Sequence, residues 1–218
     1  MIQIFLSHTK RDKDFCNRFD DVVNGPRFGR GGVKIFRSEL EKFETPPWKT
    51  IKNAMNDSVA LFLLIGPELV KAQKESNYSA ESKEEWKYTQ NWISYEIGLA
   101  CQKGIDVWVQ CDAGVRINFP VPYLNNYAIY GIERGKRDEF LFEIFEGYKD
   151  GKTYPVGFEK KYVYQCPHKG CGAEFNLHSY LPENFTIICP SCLEELPFKK
   201  GWLVEEWNER VRQLRTRK

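Results

Sequence analysis

Two groups of residues in this sequence could do chemistry. The first is a carboxylate beside an indole. Trp92 and Glu96 stand four apart in Asn91-Trp92-Ile93-Ser94-Tyr95-Glu96-Ile97. On a helix, residues four apart share a face, and their side chains lean toward the helix N-terminus. The stripe Ile93, Ile97, Ala100 and Cys101 falls on a neighbouring face, so Glu96 is expected beside the core. The second group is four thiols. Cys166-Pro167-His168-Lys169-Gly170-Cys171 and Cys189-Pro190-Ser191-Cys192 are C-x4-C and C-x2-C knuckles, with seventeen residues between them. That pattern suits a closed, tetrahedral, structural Zn2+ site with no open position for catalysis. Gly170 and Gly172 allow the tight backbone path around Cys171. Two disulfides or free thiols are the alternative, and His168 and His178 are lesser candidates for a substituted ligand. Residues 174–177 and 185–188 read as the paired strands of a zinc ribbon, a unit too small to keep a core without its metal.

The elements that must position Glu96 alternate between strand and helix. Residues 2–6 read as a strand, with a polar loop at 7–12. Phe15, Phe19, Val22 and Val23 recur at helical spacing. Gly25-Pro26 and Gly31-Gly32 break the chain before a second strand at 33–36. After a polar loop at 37–45, Thr45 can N-cap a helix with Pro46 or Pro47 in its first turn and Trp48, Ile51 and Met55 on its buried face. The longest apolar run is 59–65. Its seven residues fall short of the about 20 that span a bilayer, and they suit a strand buried on both faces. The polar stretch 71–89 reads as a long loop with at most a short helix. Asn91 then caps a helix that Gly104 ends in the left-handed conformation. Strands at 106–111 and 127–130, and a helix carrying Leu141, Ile144, Phe145 and Tyr148, complete the pattern. Such alternation implies a parallel sheet covered on both faces, with ligands beyond the carboxyl ends of its strands. That rule singles out the loops at 7–12, 37–47 and 67–92.

The bulk numbers exclude little else. The chain has 218 residues, 42% hydrophobic and 28% charged, so a packed core is expected and disorder is not. With 32 basic and 30 acidic residues the net charge is +2, which gives no global argument for nucleic acid or an anionic membrane. The N-terminal segment shows no basic n-region or cleavage site, so a cytoplasmic location is expected. Cys16, Cys101 and Cys111 lie in apolar-looking segments and read as buried free thiols. The expected organisation is a main domain at 1–150, a linker at 151–161, a zinc ribbon at 162–200 and a basic, helical tail at 201–218.

In order and spacing, these segments resemble the TIR (Toll/interleukin-1 receptor/resistance) family, prokaryotic members included. The first strand and its loop are Ile4-Phe5-Leu6-Ser7-His8, with Asp12 nearby. Phe36, the loop to Trp48, and Ile51 follow. Leu61-Phe62-Leu63-Leu64-Ile65-Gly66-Pro67 stands where the family has an apolar strand ending in Ser-Pro. The Trp92 to Ile97 segment looks like the family's Trp-x-x-x-Glu-Leu/Ile helix. The resemblance covers about 1–148. It implies a flavodoxin-like, five-stranded parallel sheet with helices on both faces.

The resemblance also implies a function. Some TIR members are adaptors. Others cleave the nicotinamide–ribose bond of NAD+, some with cyclisation, and act as homo-oligomers, commonly in antiphage defence or innate immunity. These members need a glutamate where this chain has Glu96. The bond breaks through an oxocarbenium-like state, which a nearby carboxylate stabilises. Trp48 and Trp92 offer faces for ring stacking. Ser7, His8, Lys10 and Arg11 follow the first strand, where related enzymes bind the substrate and place basic residues near its phosphates. Ser38 or Glu39 stands where many members carry Asp near the ribose. Two readings stay open beside NAD+ cleavage. One is a non-enzymatic adaptor working through residues 37–45, with Glu96 facing solvent. The other is a nucleic-acid or protein contact through the ribbon, its aromatics Tyr162, Tyr164, Tyr180 and Phe198, and the basic tail.

Overall fold

The apolar run at 59–65 becomes the centre of the sheet. In the computed structural model, which describes residues 1–8, 12–26, 32–38, 46–112, 129–132, 137–154, 163–178, 186–192, 194–196, 208–209 and 212–213, the strands are β1 (Ile2–Ser7), β2 (Val33–Arg37), β3 (Ser58–Ile65), β4 (Asp106–Asp112), β5 (Ile129–Ile132), β6 (Val163–Gln165), β7 (Glu174–Asn176), β8 (Thr186–Ile188) and β9 (Glu195–Leu196). The helices are α1 (Lys13–Asn24), α2 (Pro47–Asp57), α3 (Pro67–Glu75), α4 (Ala80–Lys103) and α5 (Arg137–Lys149).

β2, β1, β3 and β4 form a parallel sheet in that order. The order in which successive strands are added reverses between β1 and β3, so the carboxyl ends of these two strands flank the switch point. Side chains alternate between the faces. Ile4, Leu6, Phe62 and Trp108 pack with Phe19 of α1 and Phe140 and Phe145 of α5. Phe5, Leu61, Leu63 and Val109 pack with Ile51 and Met55 of α2, Leu69 of α3, and Ile93 and Ile97 of α4. No helix among the described residues is long and apolar enough to cross a membrane.

The sheet does not stop where five strands were expected to close it. β5 pairs parallel to β4, and β8 and β9 then continue antiparallel, giving a mixed sheet of seven strands. The two strands expected to pair within a ribbon separate: β7 pairs with β6, while β8 joins β5 and β9. Burial explains the choice. Ile187 and Ile188 point to opposite faces and belong to opposite apolar clusters, so β8 needs cover on both sides, which a small ribbon cannot give.

Four other expectations are corrected. Residues 71–89 are mostly helical: α3 ends at Glu75, and α4 runs 24 residues from an N-cap at Ser79, whose Oγ accepts from the Ser82 N–H. Asn91 therefore lies within α4 and caps nothing. Trp48 is 53% exposed although Ile51 and Met55 below it are buried, because it sits in the first turn of α2, outside the sheet's cover. Cys101 is exposed, whereas Cys16 and Cys111 are buried. The helix stop at Gly104 is as expected, with φ 74°. β5 starts at Ile129, with 127–128 outside the described residues, as is Thr45; Pro46 is the N-cap of α2. From the expected tail, Asn208 is docked on β6, donating to Val163 O (2.7 Å) and accepting from the Gln165 N–H (3.0 Å).

Candidate functional site

Ser7 ends β1 on the same side of the sheet as Phe5, facing α4. On α4, Ile93, Ile97 and Ala100 press against the sheet, and Glu96 falls in the same buried stripe. Glu96 as a whole is 5% exposed, and Ser7, fully buried, donates its hydroxyl to Glu96 Oε2 at 2.6 Å. The pair joins the carboxyl end of β1 to the centre of α4, beside the switch point. A buried carboxylate is costly unless it is hydrogen-bonded, and Ser7 supplies one such bond.

Aromatic side chains lead outward from Glu96. Trp92 is half-buried one turn earlier. It meets Tyr88 and Tyr95 edge-on, with ring centroids 6.1 Å and 5.9 Å away. The Tyr95 hydroxyl donates to Trp48 O at 3.2 Å, which ties the exposed start of α2 to α4. The structure thus brings Ser7 to Glu96 and, one turn earlier on α4, links Trp92 to Trp48 through Tyr95. His8 and Ser38 are half-buried at the ends of β1 and β2. Thr9, Lys10, Arg11 and Glu39 lie outside the described residues.

Two polar residues at this end of the sheet were not singled out by sequence reasoning for what they do. Asp12 is buried, and its carboxylate accepts from the backbone N–H groups of Glu68 (2.9 Å) and Leu69 (3.0 Å), capping α3 from across the fold. Burial raises the Asp12 carboxyl above the usual range, and the two N–H bonds pull against it. This cap accounts for Gly66: a Cβ there would come within 2.4 Å of the Asp12 carboxylate. Gln110 is fully buried in β4, and neither polar atom of its side chain has a partner among the described residues. A lone amide in an apolar strand was the available signal. It lies on the opposite face from Glu96, by alternation with Val109.

The four cysteines of the knuckles come together. All four Sγ atoms lie within 4.8 Å of one another. Cys166 and Cys192 are 3.6 Å apart, and Cys171 and Cys189 are 3.7 Å apart. Four sulfurs at the Zn–S length of about 2.3 Å from one tetrahedral centre stand roughly 3.8 Å apart, so the spacing fits a metal and not a disulfide. Gly170 and Gly172 take φ of 84° and 63°, as the tight knuckle requires. His168 Nδ1 lies 3.3 Å from Cys166 Sγ and 3.7 Å from Cys192 Sγ, beside the four-sulfur set. His178 is remote from it, stacked on Trp108. Burial pushes the Cys189 thiol up to about 11. For Cys171 burial pushes the same way, but the Ala173 N–H and the neighbouring thiols outweigh it and bring the group down to about 7. A metal entering this cluster must displace protons, so its affinity falls as pH falls.

Compared with known proteins, the chain matches no protein-family model and no curated protein.

Proposed function

We propose that this chain is a TIR-type NAD+ glycohydrolase with Glu96 as its catalytic carboxylate. The observation that carries the reading is the Ser7–Glu96 pair, a buried carboxylate held at 2.6 Å beyond the end of β1, beside the β1–β3 switch point. The strand order β2-β1-β3-β4 supports a flavodoxin-like sheet, where ligands bind at that point. The burial of Glu96 favours this reading over an adaptor, for which an outward-facing carboxylate is expected.

In the reaction, the bond between ribose C1′ and the nicotinamide nitrogen breaks, and nicotinamide leaves with the electron pair. Glu96 stabilises the positive charge that grows on the ribose. Water adds to C1′ and loses a proton, giving ADP-ribose, or a ribose hydroxyl takes its place and the product is cyclic. Ser7 fixes the direction of the carboxylate. Trp92 and the exposed Trp48 offer stacking faces for the nicotinamide and adenine rings. His8, Ser38, Lys10 and Arg11 are the proposed ribose and phosphate contacts. A homo-oligomer completes the site, so specific activity rises with protein concentration. The thiol cluster holds structural Zn2+, and the ion would supply no step of this reaction.

The test is to incubate the full chain, at high concentration, with NAD+ and resolve the products by mass. Nicotinamide release should fall by about 10²–10³-fold or more in Glu96→Gln, with the circular dichroism spectrum unchanged. A folded Glu96→Gln protein that cleaves NAD+ at the original rate removes the proposal.

A further inference from the structure

The cysteine-bearing segment shares its strands and its core with the main sheet. Ile188 pairs with Ile129 of β5, and Cys189 is the next residue. Cys189 donates its N–H to Glu194 O at 3.0 Å, and Glu195 then returns to pair with Ile188. One metal ligand is thus one residue away from the ladder that covers β5. Cys166 and Cys189, with Tyr164, Phe175, Leu177 and Ile187, are buried in the apolar cluster that holds Ile4, Phe62 and Trp108.

A second joint lies at β4. The His178 ring stacks on Trp108 with centroids 3.7 Å apart and planes 3° apart. Its Nε2 is 3.0 Å from Val107 O. Among the described residues β5 pairs with β4 from Val109 onward, and His178 meets a carbonyl before that point. Trp108 is itself anchored: its Nε1 donates to the Tyr148 hydroxyl (2.9 Å), which donates to Asp106 (2.7 Å). Asp106 also accepts from the Tyr154 N–H. The strands of the cysteine-bearing segment, β6 to β9, are two or three residues long. Strands so short do not persist without an added constraint, and four thiolates on one ion supply it.

We propose that the four-thiolate centre fastens the far edge of the sheet: a thiophilic divalent ion held by Cys166, Cys171, Cys189 and Cys192 sets β8 against β5 and seats His178 on Trp108, so metal occupancy controls the order of β4 and β5. The inference rests on reading the thiol cluster as a metal site. Losing the ion turns β5 into an edge strand with unpaired backbone groups and uncovers Trp108. The strands nearest the switch point, β1 and β3, lie further from the fastener.

The experiment is hydrogen exchange on the full chain, loaded with Zn2+, stripped by a chelator, and reloaded. Stripping should speed exchange at 106–112 and 129–132 by about tenfold or more, and reloading should restore protection. Loss that spreads to β1 also supports the inference. Unchanged exchange at β4 and β5 after the ion has gone overturns it. Co2+ titration separates the underlying reading: without a thiolate-to-cobalt absorption band, the cluster is not a metal site and the inference goes with it. His178→Ala keeps all four cysteines. It should bind Co2+ with the same band yet exchange faster at 106–109. The same band with unaltered exchange there rules out His178 as the link.

Discussion

At the scale of single residues, Ser7 and Glu96 are one unit. The 2.6 Å separation is that of a short O–H···O hydrogen bond, and such a bond to an ionised carboxylate is worth about 1.5–3 kcal/mol. Ser7→Ala takes that bond from the carboxylate of a buried residue and lets it turn. If Ser7 positions the catalytic group, the loss falls on kcat, by about 10–100-fold, with KM for NAD+ little changed. Ser7→Cys, which keeps a weak donor, should recover part of the rate. A lower Tm in Ser7→Ala with kcat untouched would make the hydroxyl a packing element only. That Glu96 lies beside the core was legible from sequence, because a helix repeats every 3.6 residues; the structure goes further and buries it with Ile93, Ile97 and Ala100, while Cys101, expected in that stripe, is exposed. The partner of Glu96 was not legible: no local rule connects residue 7 with residue 96. Trp48 shows the converse error, since Ile51 and Met55 set a face whose first turn extends past the sheet.

At the scale of elements, a strand buried on both faces was readable, because β3 is apolar from Val59 to Ile65. The first half of α4 was not. Among residues 80–89 only Trp86 is buried, so that stretch carries charges on almost every side and shows no apolar period, and its start depends on the Ser79 cap. α3 hides its origin in another way, since its N-terminal N–H groups are satisfied by Asp12 from a different loop. Gly66 exists to let that carboxylate approach. A methyl group at Gly66 would stand 2.4 Å from Asp12 Cγ and Oδ1, so Gly66→Ala must push the cap off the helix. The expected cost is about 1–2 kcal/mol, or a Tm lower by roughly 3–8 °C. Asp12→Ala should cost about the same. Because both break one cap, the double variant should lose clearly less than the sum of the two. Thermal unfolding of the three variants measures this, and full additivity means that the two residues act separately.

At the scale of the whole molecule, the strand order past β4 was beyond any local pattern, because periodicity reports which residues are buried and not which strand they will pair with. The consequence is a single apolar cluster running from Ile4 to Leu196, with a titratable group inside it. Burial lowers the His178 pKa from 6.5 to about 3, while its bond to Val107 O pulls weakly the other way. The unfolded chain takes up a proton near pH 6.5, and the folded chain does not until about pH 3. Between these values the unfolded state holds more protons, so stability present above pH 6.5 is lost as pH falls. The slope approaches ~1.4 kcal/mol per pH unit, or about 2 kcal/mol lost by pH 5. His178→Phe can keep the stack on Trp108 but does not titrate, so it should remove most of this slope while lowering stability at pH 7. Metal affinity also falls with acid, but that part is common to both proteins, so urea unfolding at pH 7, 6 and 5 is to be compared in metal-loaded protein with and without the substitution, and the difference between the two slopes belongs to His178. Parallel acid slopes in the two proteins would mean that His178 reaches solvent and that the seat on Trp108 is not closed.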